Sequence, residues 1–317
     1  MRRSLIVGID DYPDSPLSGC VNDAIKIAEV LRKNHDDSKN FECKVLISSE
    51  GNITKTQLKK NIQELLKHEA DVALLFFAGH GTVNNLGGYL VTPDATQYDE
   101  GVSMQDVLSL ANQSPDHEIV IIIDCCHSGA LGAIPAISNN NEIAHLKQGV
   151  SVLTASRDSQ PSMEVDGSGM FTTLVCAALD GGASDVIGNV TVASVYAYVD
   201  QALGAWDQRP LFKSHVAKLI PLRTCKPGVE MPILRLLPKY FPDPSQEFPL
   251  DPSYEPDAEP DHPEHEEIFG HLQKYRAARL LVPVGEDHMY FAAMNSKSCK
   301  LTPLGQFYLH LANSGKL

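Results

Sequence analysis

Two short stretches carry side chains able to do covalent chemistry, and each follows a continuous apolar run. Val72-Ala73-Leu74-Leu75-Phe76-Phe77 leads into Ala78-Gly79-His80-Gly81, and Ile119-Val120-Ile121-Ile122-Ile123 leads into Asp124-Cys125-Cys126-His127-Ser128-Gly129. Apolar runs of this length, closed by turn residues, predict strands buried on both faces. In parallel α/β sheets the reactive groups collect beyond the carboxyl ends of such strands. If the two strands are neighbours, about 4.8 Å apart, His80 and a cysteine project from adjacent edges. An imidazole beside a thiol is the minimal machinery of nucleophilic acyl transfer. The base takes the sulfur proton, and the imidazolium later protonates a leaving amine.

Strand geometry separates the two cysteines. Side chains alternate with period two, so Asp124 and Cys126 share a face while Cys125 points the other way. Cys126 is therefore the expected nucleophile and Cys125 a small buried hydrophobe. Gly81 lets the backbone approach a substrate, and its N–H with that of Cys126 is the expected oxyanion hole. Taken singly, a cysteine after a strand is ordinarily core and a histidine ordinarily a hydrogen-bonded group. The pair at two strand ends favours catalysis. Metal binding is the competing use. Cys125, Cys126 and His127 are consecutive, whereas structural zinc ligands stand two to four residues apart. His262 and His265 have ligand spacing but sit in an acidic stretch without a nearby cysteine. No metal site is expected.

The elements that must position these groups alternate in type. Leu5–Ile9 reads as a strand, Asn22–Leu31 as a helix and Val45–Ile47 as a strand. A helix capped by Thr54 then runs through Leu58, Ile62, Leu65 and Leu66. Ser103-Met104-Gln105-Asp106 opens a helix between the two reactive strands. Val150–Leu153 is a fifth strand, Phe171–Leu179 and Val192–Leu203 fit helices, and Val216–Ile220 fits a last strand. Such alternation predicts an α/β fold: a mostly parallel six-stranded sheet covered by helices on both faces.

Composition sets the outer limits. The 317 residues suit one large domain or two modest ones, and 43% hydrophobic residues suffice for a real core. A formal net charge of −14 argues against a chain built mainly to coat nucleic acid or anionic membrane. No apolar run reaches the roughly 18–20 residues of a spanning helix. The apolar stretch after Arg2-Arg3 is short for a signal peptide, and seven cysteines lack framework spacing. A cytoplasmic protein is expected.

Residues 226–263 hold ten of the 20 prolines. Its apolar front end, Met231–Leu237, also fits an arm packed on the first domain; beyond Pro238 the segment reads as a semi-rigid, extended spacer. The expected division is therefore residues 1–225, a proline-rich acidic linker over 226–262, and a module over 263–317. In the module, Glu266–Leu281 has helical spacing, Val282–Val284 and Met289–Ala292 read as two strands, and Thr302 opens a final helix. From Ile268 to Leu317 there are six Lys/Arg against two Asp/Glu. That local basicity admits DNA binding, although the aromatic-rich last helix leans toward a regulatory protein partner.

Leu5–Ile9, Leu17-Ser18-Gly19-Cys20-Val21-Asn22-Asp23-Ala24, Phe77-Ala78-Gly79-His80-Gly81 and Asp124–Gly129 occur in one order. Together they resemble the caspase-like cysteine peptidases, specifically the metacaspase and bacterial orthocaspase branch, over about residues 2–222. The resemblance implies a caspase-like three-layer sandwich with His80 as base and Cys126 as nucleophile. No third triad member is nominated. It also implies that Asp23 and Asp124 form an acidic S1 pocket for Arg or Lys at P1, where true caspases have a basic pocket for Asp. Each acid has an ordinary alternative, Asp23 as a helix-start acid and Asp124 as a strand-end turn residue. The pair could also serve another substrate amine. Ala78 stands where many metacaspases have a polar residue. Many also bind calcium after the catalytic histidine, but Thr82–Gly88 contains no acid; the nearest are Asp94, Asp99 and Glu100. Calcium activation thus finds no support, and no cofactor is expected.

Family members are often cut between subdomains, and Lys147 is the only basic residue between Ser128 and Val150, a stretch that includes the loop-like Ser138–Asn141. A single-chain enzyme is equally compatible. Ser156-Arg157-Asp158 and Asp207-Gln208-Arg209-Pro210 follow the family's groove-lining pattern, or are ordinary polar loops. The C-terminal module resembles a winged helix, less specifically. The expected function is an endopeptidase acting on protein substrates after basic residues, away from membranes. By resemblance alone it belongs to bacterial defence or regulated cell death. A catalytically silent scaffold, or a DNA- or signal-sensing regulator whose output is the peptidase, are the alternatives.

Overall fold

In the computed structural model, which describes residues 1–125, 145–155, 164–165, 167–203, 210–256 and 259–317, the apolar runs become one six-stranded sheet. Its strands are β1 (Arg2–Gly8), β2 (Glu42–Ile47), β3 (Val72–Ala78), β7 (Glu118–Asp124), β8 (Val150–Thr154) and β12 (Leu211–His215). The spatial order is β12-β8-β7-β3-β1-β2. Every pairing is parallel except β12 against β8.

Period-two alternation decides which residues face which helix layer. Ile6, Phe76, Ala78 and Ile122 pack with Ala24, Ile27 and Leu31 of α1 (Cys20–Arg32). Phe171 and Val175 of α4 (Met170–Ala177), with Val195 and Val199 of α5 (Val192–Leu203), complete that layer. Leu75, Phe77, Ile121 and Ile123 pack on the other face with Leu58 and Ile62 of α2 (Lys55–Lys67). Val107 and Leu108 of α3 (Met104–Gln113) join them there. A fully buried side chain of this size contributes about 1.5–3 kcal/mol, so the two layers hold the strand ends in fixed register. Thr54 and Ser103 cap α2 and α3 as their sequence positions predict, accepting from the N–H groups of Gln57 and Gln105 at 3.2 Å each.

Three features depart from the expected elements. Between His80 and α3 lies a three-stranded antiparallel sheet that the sequence pattern does not announce, formed by β4 (Gly81–Asn84), β5 (Gly87–Thr96) and β6 (Asp99–Ser103). The last main-sheet strand is Leu211–His215 rather than Val216–Ile220. As an edge strand, Leu211–His215 runs from a buried leucine to exposed polar residues and carries little apolar signal. The later apolar residues, Leu219 and Ile220, instead pack against the first core layer, with the Ile220 N–H donating to Glu118 at 2.6 Å. Short antiparallel ribbons join β9 (Glu164–Val165) to β10 (Ser168–Gly169), and β11 (Asn189–Val190) to β13 (Arg223–Thr224).

The chain divides into two units, Met1–Ser184 with Asn189–Cys225, and Asp185–Gly188 with Lys226–Leu317. The second unit corrects the spacer expected over residues 226–262. Short helices α6 (Met231–Leu234) and α7 (Leu237–Tyr240), strand β14 (Phe248–Pro249) and a turn at Pro252–Tyr254 all belong to it. Leu234, Leu237, Phe241, Leu250 and Tyr254 are buried in its core with Phe269, Leu272 and Tyr275 of α8 (Pro263–Ala277). The prolines mislead because Pro232, Pro238, Pro252 and Pro263 open helices, where a missing N–H costs nothing. Beyond α8 come β15 (Leu281–Val284), α9 (Met289–Met294), β16 (Ser298–Leu301) and α10 (Pro303–Asn313). The expected strand at Met289–Ala292 is thus a helix: Met289, Ala292 and Ala293 are buried at helical spacing. The sheet of this unit has the order β14-β16-β15. No helix among the described residues is long and apolar enough to cross a membrane.

Candidate active site

The carboxyl ends of β3 and β7 are adjacent, with Ala78 paired to Asp124, and the Gly79 N–H donates to the Asp124 carbonyl at 3.3 Å. His80 lies two residues beyond this pair on one strand. Cys126 lies two residues beyond it in sequence on the other, outside the described residues. Cys125 is 3% exposed, packed in the layer of α2 and α3.

His80 is half-buried and fixed from two sides. Its backbone N–H donates to the Tyr12 hydroxyl at 3.0 Å, and the two rings lie 4.5 Å apart. Its Nε2 is 2.7 Å from the carbonyl oxygen of Ser15. A carbonyl only accepts, so Nε2 carries a proton and Nδ1 is left as the basic nitrogen. The group that orients the His80 ring is a backbone carbonyl. Sequence reading cannot single it out, because every residue has one. Gly81, the expected oxyanion donor, begins β4 and pairs with Leu90.

Asp23 and Asp124 come together. Gly8 lets α1 pack closely on β1, since a Cβ there would sit 2.3 Å from the Cys20 carbonyl oxygen in the first turn of α1. Asp10 holds that turn from outside, accepting from the N–H groups of Cys20 at 2.8 Å and Val21 at 3.2 Å, where the helix dipole favours an anion. One turn on, Asp23 is 3% exposed, and Asp124 is 7% exposed at the end of β7. The two carboxylates converge on Gly169, where a Cβ would be 2.9 Å from Asp124 Oδ2 and 3.2 Å from Asp23 Oδ2. The Gly169 N–H donates to Asp23 Oδ2 at 3.2 Å, and the Thr172 hydroxyl donates to Asp124 Oδ2 at 2.7 Å. Asp23 Oδ1 is buried with no hydrogen-bond partner among the described residues.

Burial raises the proton affinity of both acids, and Asp124 raises that of Asp23 further. Burial, and then the Asp124 charge, push the Asp23 carboxyl up to about 7; the Gly169 N–H, Ser168 and then Lys26, one turn along α1, work against this. Lys26 Nζ donates to Ser168 Oγ at 2.6 Å. Asp124 is raised by burial and held back by its bonds from Thr172. The nearby Cys20 thiol is pushed up by burial and then by Asp10, Asp124 and Asp23, and Cys176 by burial and then by Asp23, which disfavours their thiolates. Gly169, Thr172, Ser168 and Lys26 carry no motif that singles them out in the sequence; only the Gly167-Ser168-Gly169 turn chemistry could flag one of them.

Lys147 stands apart from this constellation. It precedes β8, at the end of the sheet where Val150 pairs with Ile119, opposite to the end that carries Asp124. Its Nζ donates to the carbonyls of Ser114 and Asp116, and its N–H to Asn112 Oδ1 at 2.8 Å. Ser138–Asn141, Ser156-Arg157-Asp158 and Asp207-Gln208-Arg209 lie outside the described residues. Asp94, Asp99 and Glu100 are engaged by Lys55 and Asn84.

A sheet of this order, with histidine and cysteine motifs at neighbouring strand ends, defines a class, and the family comparison agrees with it. Residues 1–221 match the family described as Caspase domain, and the chain belongs to that family. Among solved structures it is similar to the Geobacter sulfurreducens protein GSU0716. The TM-score is 0.52 at 14% identity, covering 71% of this chain and 100% of that one. It is also similar to caspase-1 from Spodoptera frugiperda, with TM-score 0.46 and 16% identity over 71% of this chain and 90% of that one. No curated protein matches the chain. Membership in the caspase family supports cysteine peptidase activity on protein substrates.

Proposed function

We propose that the first unit is a cysteine endopeptidase that cleaves after Arg or Lys through a Cys126–His80 dyad. The observation that carries the specificity is the convergence of buried Asp23 and Asp124 on Gly169, with Asp23 Oδ1 left over for a substrate donor. A P1 guanidinium or ammonium entering there neutralises two carboxylates that repel each other. An aspartate at P1 would add a third negative charge. This acidity is also what favours the metacaspase-like branch over the caspases proper.

In this reading His80 Nδ1 takes the Cys126 thiol proton. The thiolate attacks the scissile carbonyl carbon, a C–S bond forms, and the carbonyl electron pair moves onto oxygen, which the N–H groups of Gly81 and Cys126 stabilise. When that pair returns, the C–N bond breaks and the amine leaves with the proton from His80. Water then attacks the thioester, giving its proton to His80 as the new C–O bond forms. The Cys126 sulfur departs and regains the proton. The Ser15 carbonyl orients the ring throughout and steadies the imidazolium.

Lys147 is not assigned as a processing site, since its three bonds would have to break and it faces the wrong end of the sheet. The second unit is read as a winged-helix-like recruitment module. Tyr290 and Phe291 of α9 and Phe307 of α10 are each about half exposed, which suits a protein partner better than a phosphate backbone. A role in bacterial defence or regulated cell death rests on family resemblance. An arginyl chloromethyl ketone peptide tests the core of the proposal. Intact mass should show one adduct, mapped by peptide mass to Cys126; an adduct on Cys125, or none with Arg and one with Asp, would overturn it.

A further inference from the structure

A groove of about 700 Å³ opens beyond β1 and β2. It is lined by Asp11, Tyr12 and Pro16 from the loop after β1, Ser49 and Glu50 from the turn after β2, and Pro93 of β5. We infer that this groove receives the residues that follow the scissile bond, and that it selects cationic ones. The inference rests on the peptidase reading above.

Direction comes from the chemistry. His80 delivers its proton to the leaving amine, so the amine nitrogen must lie against the imidazole. The nucleophile follows β7 in sequence and His80 follows β3, so the scissile carbon lies on the β7 side of the amine. In the order β7-β3-β1-β2 the segment beyond the amine therefore leaves across β3, away from β7. The next loops it meets are those after β1 and β2, which form the groove.

Continuity comes from Tyr12, which belongs to both places. Its ring lies against His80, its hydroxyl accepts the His80 N–H, and the same hydroxyl donates to the Val91 carbonyl at 3.2 Å. The loop that walls the groove also supplies the Ser15 carbonyl to His80. Its two walls are tied together, because the N–H groups of Asp10 and Asp11 donate to Ser48 Oγ at 3.0 and 3.3 Å. The groove is thus built before substrate arrives, and its volume lies within the roughly 300–1,000 Å³ of small-ligand sites.

Charge sets the preference. Asp11 and Glu50 are exposed, and no basic residue among the described ones lines the groove. A Lys or Arg at P1′ or P2′ gains two carboxylates at the surface, while a Glu meets two like charges. Exposed pairs of this kind are individually weak, so the expected discrimination is modest and falls as salt rises.

Quenched fluorescent peptides with Arg at P1 and Lys, Ala or Glu at P1′ and P2′ test this with the full-length chain. The kcat/KM for the Lys peptide should exceed that for the Glu peptide by about three- to tenfold at low salt. In an Asp11→Asn/Glu50→Gln double variant the ratio should collapse toward one, and in Glu50→Lys it should invert. A wild-type ratio near one, or a ratio unmoved in both variants, would overturn the inference. An arginyl-coumarin substrate, which has no residue after the scissile bond, separates the two claims. Its turnover alongside a flat P1′ profile refutes the groove and leaves the peptidase reading standing. No turnover of any arginyl or lysyl substrate refutes both.

Discussion

At the residue scale, the proposed role of Asp23 in binding P1 would tie specificity to pH. Its carboxyl titrates near 7, raised first by burial and then by Asp124, with the Gly169 N–H, Ser168 and then Lys26 opposing. Below that pH the free pocket holds a proton and offers a cationic P1 residue less charge. KM for arginyl substrates should therefore rise as pH falls from 8 to 6, while a neutral P1 residue shows no such change. Stability should run the opposite way. A carboxyl whose folded value is raised binds protons more tightly folded than unfolded, so its contribution is most favourable at low pH and is lost between about 4 and 7. Asp23→Asn should accordingly raise Tm at pH 8 relative to wild type and lose that advantage near pH 4.5. It should also lower kcat/KM for arginyl peptides at pH 8 by at least about tenfold, the effect expected from removing one charge-assisted hydrogen bond. Equal Tm differences at both pH values would show that the Asp23 charge is not strained.

At the element scale, the first turn of α1 and the Gly169 turn hold the pocket together. Asp10→Ala removes the anion that holds Cys20 and Val21. It should cost about 1–2 kcal/mol by urea unfolding, and it should lower kcat because the same loop carries Ser15. Gly169→Ala would put a methyl 2.9 Å from Asp124 Oδ2 and 3.2 Å from Asp23 Oδ2. KM for arginyl peptides should increase while far-UV circular dichroism stays unchanged; an unaltered KM would place P1 elsewhere. The legibility of these elements from sequence follows the strength of their pattern. β3 and β7 are fully buried apolar runs that signal themselves, and Thr54 and Ser103 are capping residues in capping positions. β12 is hidden by its polar edge, and α6 and α7 by prolines that serve as helix starters. α9 reads as a strand from sequence because its period shows only once the three buried positions are known. Within the site, His80 and the acids are legible because the proposed chemistry rests on their side chains. The Ser15 carbonyl and the Gly169 N–H are not, because backbone groups have no sequence signature.

At the scale of the whole molecule, the net charge of −14 describes neither unit by itself. Both units are net acidic, and only the residues from Ile268 on are locally basic; the proposed pocket and groove of the first unit are acidic too. The second unit has its own core, with Tyr275 and Phe241 fully buried, so a Phe241→Ala change should cost about 3–5 kcal/mol in the unfolding of that unit. If the second unit meets a protein through α9 and α10, the full chain should bind duplex DNA no more tightly than its charge explains, and all of that binding should vanish by about 0.2 M salt. Retained, sequence-dependent binding would favour the DNA-sensing alternative. The central claim, thiol catalysis directed at basic residues, is tested most directly by kcat/KM on matched peptide-coumarin substrates with Arg, Lys or Asp at P1, using wild type and Cys126→Ala. Wild type should prefer Arg or Lys over Asp by at least about 100-fold, the discrimination that two charge-assisted hydrogen bonds supply, and Cys126→Ala should show no turnover. Preference for Asp, or activity that survives in Cys126→Ala, would contradict it.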